Sequence, residues 1–120
     1  MDKLSYKTFV WPQNPESYRE EWLREPQYKT VDGEVFYTGM GPVRHIVTGS
    51  GCFWGKTAIE DFQRLAALFA EDEPGNLQHP LMGIRYCYFT DLELVQEPEE
   101  ERVRYNFTFT VALSNGEVPK

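Results

Sequence analysis

The stretch RVRYNFTFTVA, residues 102–112, constrains the fold of this chain more than any other. Val103, Tyr105, Phe107, Phe109 and Val111 alternate there with Arg102, Arg104, Asn106, Thr108 and Thr110. A period of two puts the first set on one face of a strand and the second on the other, so the strand has a dry face and a wet one. IRYCYFTDLELV, residues 84–95, is patterned in the same way, and QEPEEE (96–101) between the two is a turn too charged to bury. Together they predict a long antiparallel hairpin with one buried face.

KTAIEDFQRLAALFAEDEPG (56–75) is the clearest helix. Thr57 and Glu60 have capping-box spacing, and Ile59, Phe62, Leu65, Ala66 and Phe69 form an apolar stripe. Pro74 and Gly75 stop it, which predicts a helix over about residues 57–71. VRHIVTGSGCFWG (43–55) begins as a strand and ends in glycines expected to turn the chain into that helix. VDGEVFYTGM (31–40) places an Asp32–Gly33 hairpin turn between short β-rich runs. ESYREEWLREPQYKTV (16–31) fits a short helix through Tyr18, Trp22 and Glu25, or a strand through Tyr18, Glu20 and Trp22; strands are the favoured reading. In FVWPQNP (9–15), Pro12 and Pro15 hold their predecessors out of helical geometry. Strands, one helix and strands again predict an α+β fold, an antiparallel β-sandwich or partial barrel with the helix over one opening. The expected organisation is a single domain over residues 1–120, with 1–15 as an extended N-terminal arm and 16–120 as the β-domain with its helix.

Composition narrows the function. Hydrophobic residues at 41% and aromatics at 15% fill a modest core, and the formal net charge is −7. A nucleic-acid or anionic-membrane surface needs clustered Lys and Arg, so that charge points away from both. The N-terminus lacks the apolar core of a signal peptide, and no apolar run approaches the ~20 residues of a membrane span. The chain reads as cytoplasmic when made. Cys52 and Cys87 have no CxxC spacing, and with His45 and His79 they match no metal-ligand pattern. No EF-hand, phosphate-cradling loop or Ser/His/Asp signature is present. No catalytic residue, cofactor or metal is expected.

GCFWG (51–55) resembles the reactive-cysteine signature of peptide methionine sulfoxide reductase A, and a cysteine just before a capped helix favours its thiolate. The likeness ends with these five residues. The glycine-rich stretch that follows in that family is missing, and Cys87 lies mid-strand, away from a resolving position. The alternative makes Phe53 and Trp54 packing residues, Gly51 and Gly55 turning points, and Cys52 a small buried filler.

A longer pattern is more informative. VTGSG (47–51), EDFQRLAALF (60–69), PGNLQHPLMG (74–83), YFTDLELVQEPEEE (88–101) and RYNFTFTVA (104–112) together resemble small structural proteins of phage tails and related contractile particles. PGNLQHPLMG, a turn in that pattern, is also similar to a step in the N-terminal domain of phage DNA-circularisation proteins, which with LysM-bearing tail proteins continue into further domains. YKTFVWPQNPESY (6–18) resembles the opening of short tail proteins of Gram-positive phages and prophages. The resemblance implies a tail-tube-like fold and a structural, non-enzymatic component of a virion tail or prophage-derived contractile injection system. Its place would be near the baseplate or the tube–baseplate junction, its partners tail tube and baseplate proteins, and its assembly a homo-oligomeric ring, six-fold by analogy. A tail assembly chaperone or adaptor is the alternative.

Tyr6, Phe9, Trp11, Tyr18 and Trp22 are candidate interface anchors on the N-terminal arm, because Trp and Tyr favour interface hot spots; they fit core strand positions equally well. Glu97, Glu99, Glu100 and Glu101, with Glu16, Glu20, Glu21 and Glu25, are candidates for an acidic lumen or rim that repels DNA.

Overall fold

The computed structural model describes residues 2–112. Its elements run β1 (Ser5–Tyr6), β2 (Phe9–Val10), β3 (Ser17–Leu23), β4 (Pro26–Val31), β5 (Glu34–Met40), β6 (Arg44–Trp54), α1 (Ala58–Phe69), β7 (Gly75–His79), β8 (Gly83–Leu94) and β9 (Arg102–Val111). The fold is α+β, and every strand pair among the described residues is antiparallel. One sheet has the order β2-β1-β7-β8-β9-β6-β3, and β4 and β5 form a second sheet by themselves.

The hairpin expected at the C-terminal end is the spine of the large sheet. β8 and β9 pair from Cys87 opposite Val111 to Leu94 opposite Tyr105, with a bulge between Phe89 and Asp91. Val103, Tyr105, Phe107 and Phe109 are buried, as the alternation requires. β6 pairs along the other edge of β9, and β3 pairs along β6. The sheet then curls on itself. Glu20 of β3 accepts a hydrogen bond from Arg85 Nε of β8 at 2.9 Å, although β6 and β9 separate the two strands in the ladder. In a flat sheet three strand steps are roughly 14 Å, so this contact requires a partial barrel.

The concave face holds the core, where α1 and the N-terminal segment meet the sheet. Tyr6, Phe9 and Trp11 pack with Val47, Phe53, Leu65, Leu77 and the dry face of β9. Phe53 stacks on Tyr105 at 4.6 Å, and Phe89 on Phe109 at 4.5 Å. Buried hydroxyl and indole groups find partners there: Trp11 Nε1 donates to Tyr105 Oη at 2.8 Å, and Tyr6 Oη to the Cys87 carbonyl at 3.0 Å. The N-terminal segment is therefore not held out from the body. Its two short strands join the sheet edge, and its aromatics contribute to the core because Pro12 and Pro15 turn the chain back toward β3.

The helix forms where the periodicity predicts, with its stripe rotated. Ala58, Asp61, Leu65 and Leu68 face the core, while Ile59 is exposed and Phe69 reaches Phe89 only edge-on at 5.3 Å. The small Ala58 side chain lets the first turn lie against the sheet, and Asp61 is buried because it is paired. Thr57 Oγ1 donates to Asp61 Oδ2 at 3.0 Å and the Arg64 guanidinium bonds the other carboxylate oxygen. This replaces the expected Thr57–Glu60 capping box: Thr57 makes no side-chain bond to the helix backbone.

The glycines of VTGSG make room rather than a turn. β6 continues to Trp54, and only Gly55, at φ 101°, turns the chain. A methyl group on Gly49 would lie 2.4 Å from the Phe107 ring and 2.5 Å from the Ser17 carbonyl oxygen, and one on Gly51 would lie 2.7 Å from the Tyr105 hydroxyl. Gly49→Ala is expected to destabilise the fold by about 1–3 kcal/mol, read as a lower urea midpoint with an unchanged slope, because overpacking against backbone and a buried ring has no easy relief.

Candidate functional site

The most unusual part of the molecule is the β4–β5 hairpin. Asp32 and Gly33 sit at φ 52° and 81°, the left-handed pair of a type I′ turn, so the expected turn forms where it was predicted. Tyr28 lies opposite Tyr37 and Lys29 opposite Phe36, with a bulge at Gln27 and Tyr28. Tyr28, Val35 and Tyr37 therefore share one face, and Val31 and Phe36 the other. The first face is free of charge, whereas Lys29 and Glu34 share the second with Val31 and Phe36; the apolar side chains of both are exposed, and Tyr37 keeps 60% of its surface. The hairpin joins the body through a narrow neck, where Gly41 N–H donates to the Glu25 carbonyl at 2.7 Å and Arg24 Nε to the Gly41 carbonyl at 3.3 Å. The long axis of the molecule is 65 Å against 29 and 25 Å across. An isolated two-stranded hairpin is marginal in water, and apolar surface of this extent is uncommon on a folded monomer.

β3, which carries the arm, is clipped to the body by a buried charge. The Glu20 carboxylate is only 4% exposed, and its Oε1 accepts from His45 Nε2 at 2.7 Å and from Arg85 Nε at 2.9 Å. Burial alone would raise the carboxyl pKa, but the bonds from Arg85 and His45, with their charges, outweigh it and hold the group below the usual range. Trp22, two residues on, stacks on the His45 ring at 4.3 Å and leaves 56% of its surface to solvent.

Beside the clip lies a groove of about 470 Å³. Leu4, Pro15, Tyr18, Pro80 and Leu81 line it, with Asp2 at the rim. The Tyr18 ring rests against His79 at 4.3 Å, and its buried hydroxyl has no hydrogen-bond partner among the described residues. Burial, and after it the Glu20 charge, push that phenol up to about 12, so it stays a neutral donor. His79 Nδ1 accepts the Leu81 and Met82 N–H groups at 3.0 and 3.1 Å and fixes the β7–β8 turn. Half of PGNLQHPLMG is thus the strand β7 rather than a turn, and His79 ends that strand.

The other residues singled out in the sequence separate clearly. Tyr6, Phe9 and Trp11 are core residues of their own chain, the second of the two readings their sequence positions allowed, and not anchors for a neighbour. Tyr18 is half-buried beside the groove, and Trp22 is the exposed aromatic of the five. Glu97, Glu99, Glu100 and Glu101 are exposed in the β8–β9 turn, closed by Glu99 N–H to the Arg102 carbonyl at 2.9 Å. That turn lies at the opposite end of β6 from the neck of the arm. Glu16, Glu21 and Glu25 are exposed, but Glu20 is the buried clip and not a rim residue. Cys52 is buried within β6, two residues before its end, and Cys87 is buried in β8 with its thiol pushed up to about 12 by burial. Neither is presented at the start of α1. Among the described residues no three His, Cys, Asp or Glu side chains cluster to hold a metal, and no helix is long and apolar enough to cross a membrane. The arm's projection and the Glu20 clip were missed in the sequence. The signal for the arm was the loss of alternation in 26–40, where apolar residues fall on both faces.

No protein-family model and no curated protein sequence matches the chain. Solved structures do. The fold superposes on a chain of the virion of a native gene transfer agent particle with a TM-score of 0.56 and 13% identity, covering 93% of this chain and 91% of that one. It also superposes on a chain from the tail of an empty gene transfer agent particle of C6 symmetry, with a TM-score of 0.51 and 18% identity, over 83% and 78% of the two chains. The architecture is one used by chains of phage-like particles and their tails.

Proposed function

We propose that this chain is a structural component of a phage tail or phage-tail-like contractile particle, seated near the baseplate or the tube–baseplate junction, where it assembles with neighbouring tail proteins into a ring. The observation that carries this reading is the β4–β5 arm, which exposes apolar side chains on both faces that none of the described residues covers. An exposed apolar surface of that size is characteristic of an interaction site. The fold shared with the gene transfer agent chains, one of them in a C6 tail, supports the particle and the six-fold ring. The kinship with DNA-circularisation and LysM-bearing tail proteins belongs to the same proposal. In such a ring the acidic turn 97–101, far from the arm, faces the lumen or rim, and Trp22 is an additional contact.

Mass spectrometry of washed particles from an induced producer culture tests this, with copy number taken against the tube protein. The expected result is retention in the particles at small-ring stoichiometry. Presence in the soluble lysate alone would sink the structural role and favour an assembly chaperone.

A further inference from the structure

We propose that the β4–β5 arm of one copy docks on the β7–β8 corner of the next copy, its aromatic side chains entering the groove under Pro80 and Leu81. This deepens the assembly reading and rests on it. Leu81, at 88% exposure, is the most exposed of the large hydrophobic side chains described, and it borders the groove. Met82, Ile84 and Tyr86 continue the apolar surface along β8. The corner thus offers an apolar platform and a cavity with room for aromatic rings.

Charge points to a second copy as the occupant. The chain carries −7, so copies repel unless they meet where charge is absent. Residues 35–43 and 74–84 contain no Asp, Glu, Lys or Arg, and they cover β5 beyond Glu34 and the corner itself. Charge on the arm is confined to Lys29, Asp32 and Glu34 around its turn, away from the stretch 35–43. Area agrees as well: two strands of six and seven residues, exposed on both faces, provide on the order of the ~800 Å² per partner that stable interfaces bury. Arm and corner are different surfaces of one chain, so the contact is head-to-tail and closes into a ring when the rotation allows.

Two surface variants test this in the full chain, one with Phe36→Asp and Tyr37→Asp together, the other Leu81→Asp. All three positions are exposed, and circular dichroism checks that the fold is kept. Self-association is read by size-exclusion chromatography with light scattering over rising concentration. Wild type is expected to associate, and each variant alone to lose at least about 30-fold in apparent affinity. Mixed in equal amounts, the variants should form a one-to-one dimer and nothing larger, since a single intact arm and a single intact corner remain. Leu81→Asp associating like wild type, or a mixture that stays monomeric, overturns the docking. So does a wild-type chain that remains monomeric throughout, although its presence in purified particles would leave the assembly reading standing. Absence from particles with association intact would do the reverse.

Discussion

Trp11→Ala is expected to destabilise the fold by about 3–5 kcal/mol, a large part of what a domain of this size holds. The indole is fully buried against Phe9 and Phe107, and its Nε1 donates to the Tyr105 hydroxyl. Alanine leaves a cavity and strips Tyr105 of that bond. Trp11→Phe separates the two effects, since it keeps most of the volume and loses only the hydrogen bond, at about 1–3 kcal/mol. Urea denaturation followed by Tyr and Trp fluorescence reads both. The same packing makes a clear prediction for deletion of residues 1–14: the chain should lose its fold rather than persist as a folded monomer that no longer assembles.

The second large effect concerns Glu20. Glu20→Ala is expected to cost about 3 kcal/mol at neutral pH, because it leaves the Arg85 guanidinium and the His45 ring in a half-buried site without their common acceptor. The pH dependence has a definite sign. The folded carboxyl titrates below its unfolded value of ~4.3, so its stabilisation is complete above that value and is lost as pH falls through the lower, folded pKa. Acid unfolding should therefore be shallower in Glu20→Gln than in wild type below about pH 5, and the two stability curves should converge at the acid end. Parallel curves would mean that Glu20 is not the titrating link. Because β3 leads directly into the arm, loosening this clip is also expected to broaden the arm's direction relative to the body.

Much of the fold was legible in the sequence, for identifiable reasons. The β8–β9 hairpin followed from alternation of apolar and polar residues, a signal set by the two-residue repeat of a strand and independent of partners. The Asp32–Gly33 turn followed from backbone chemistry, because both turn residues need positive φ. The helix was placed within a few residues by its periodicity and its Pro74–Gly75 stop. Its orientation was not, because a buried Asp61 reads as polar until Thr57 and Arg64 are seen to pair with it.

The candidate site was much less legible. The aromatic N-terminus was equally consistent with a projecting arm and a core strand, since a buried tryptophan and an interface tryptophan are the same residue. Tyr105 decides between them by offering Trp11 an acceptor from 94 residues away. Glu20 looked like one more surface glutamate in an acidic stretch; Arg85, 65 residues distant, makes it a buried clip.

The sequence by itself determined the element types, the hairpin turns and the wet and dry faces of β9, all of which depend on neighbours along the chain. Only the tertiary structure decided which segment projects. Residues 2–15 fold inward and residues 26–40 reach outward because the curled sheet has a concave face for Tyr6, Phe9 and Trp11, and among the described residues it provides no surface against which the β4–β5 hairpin packs.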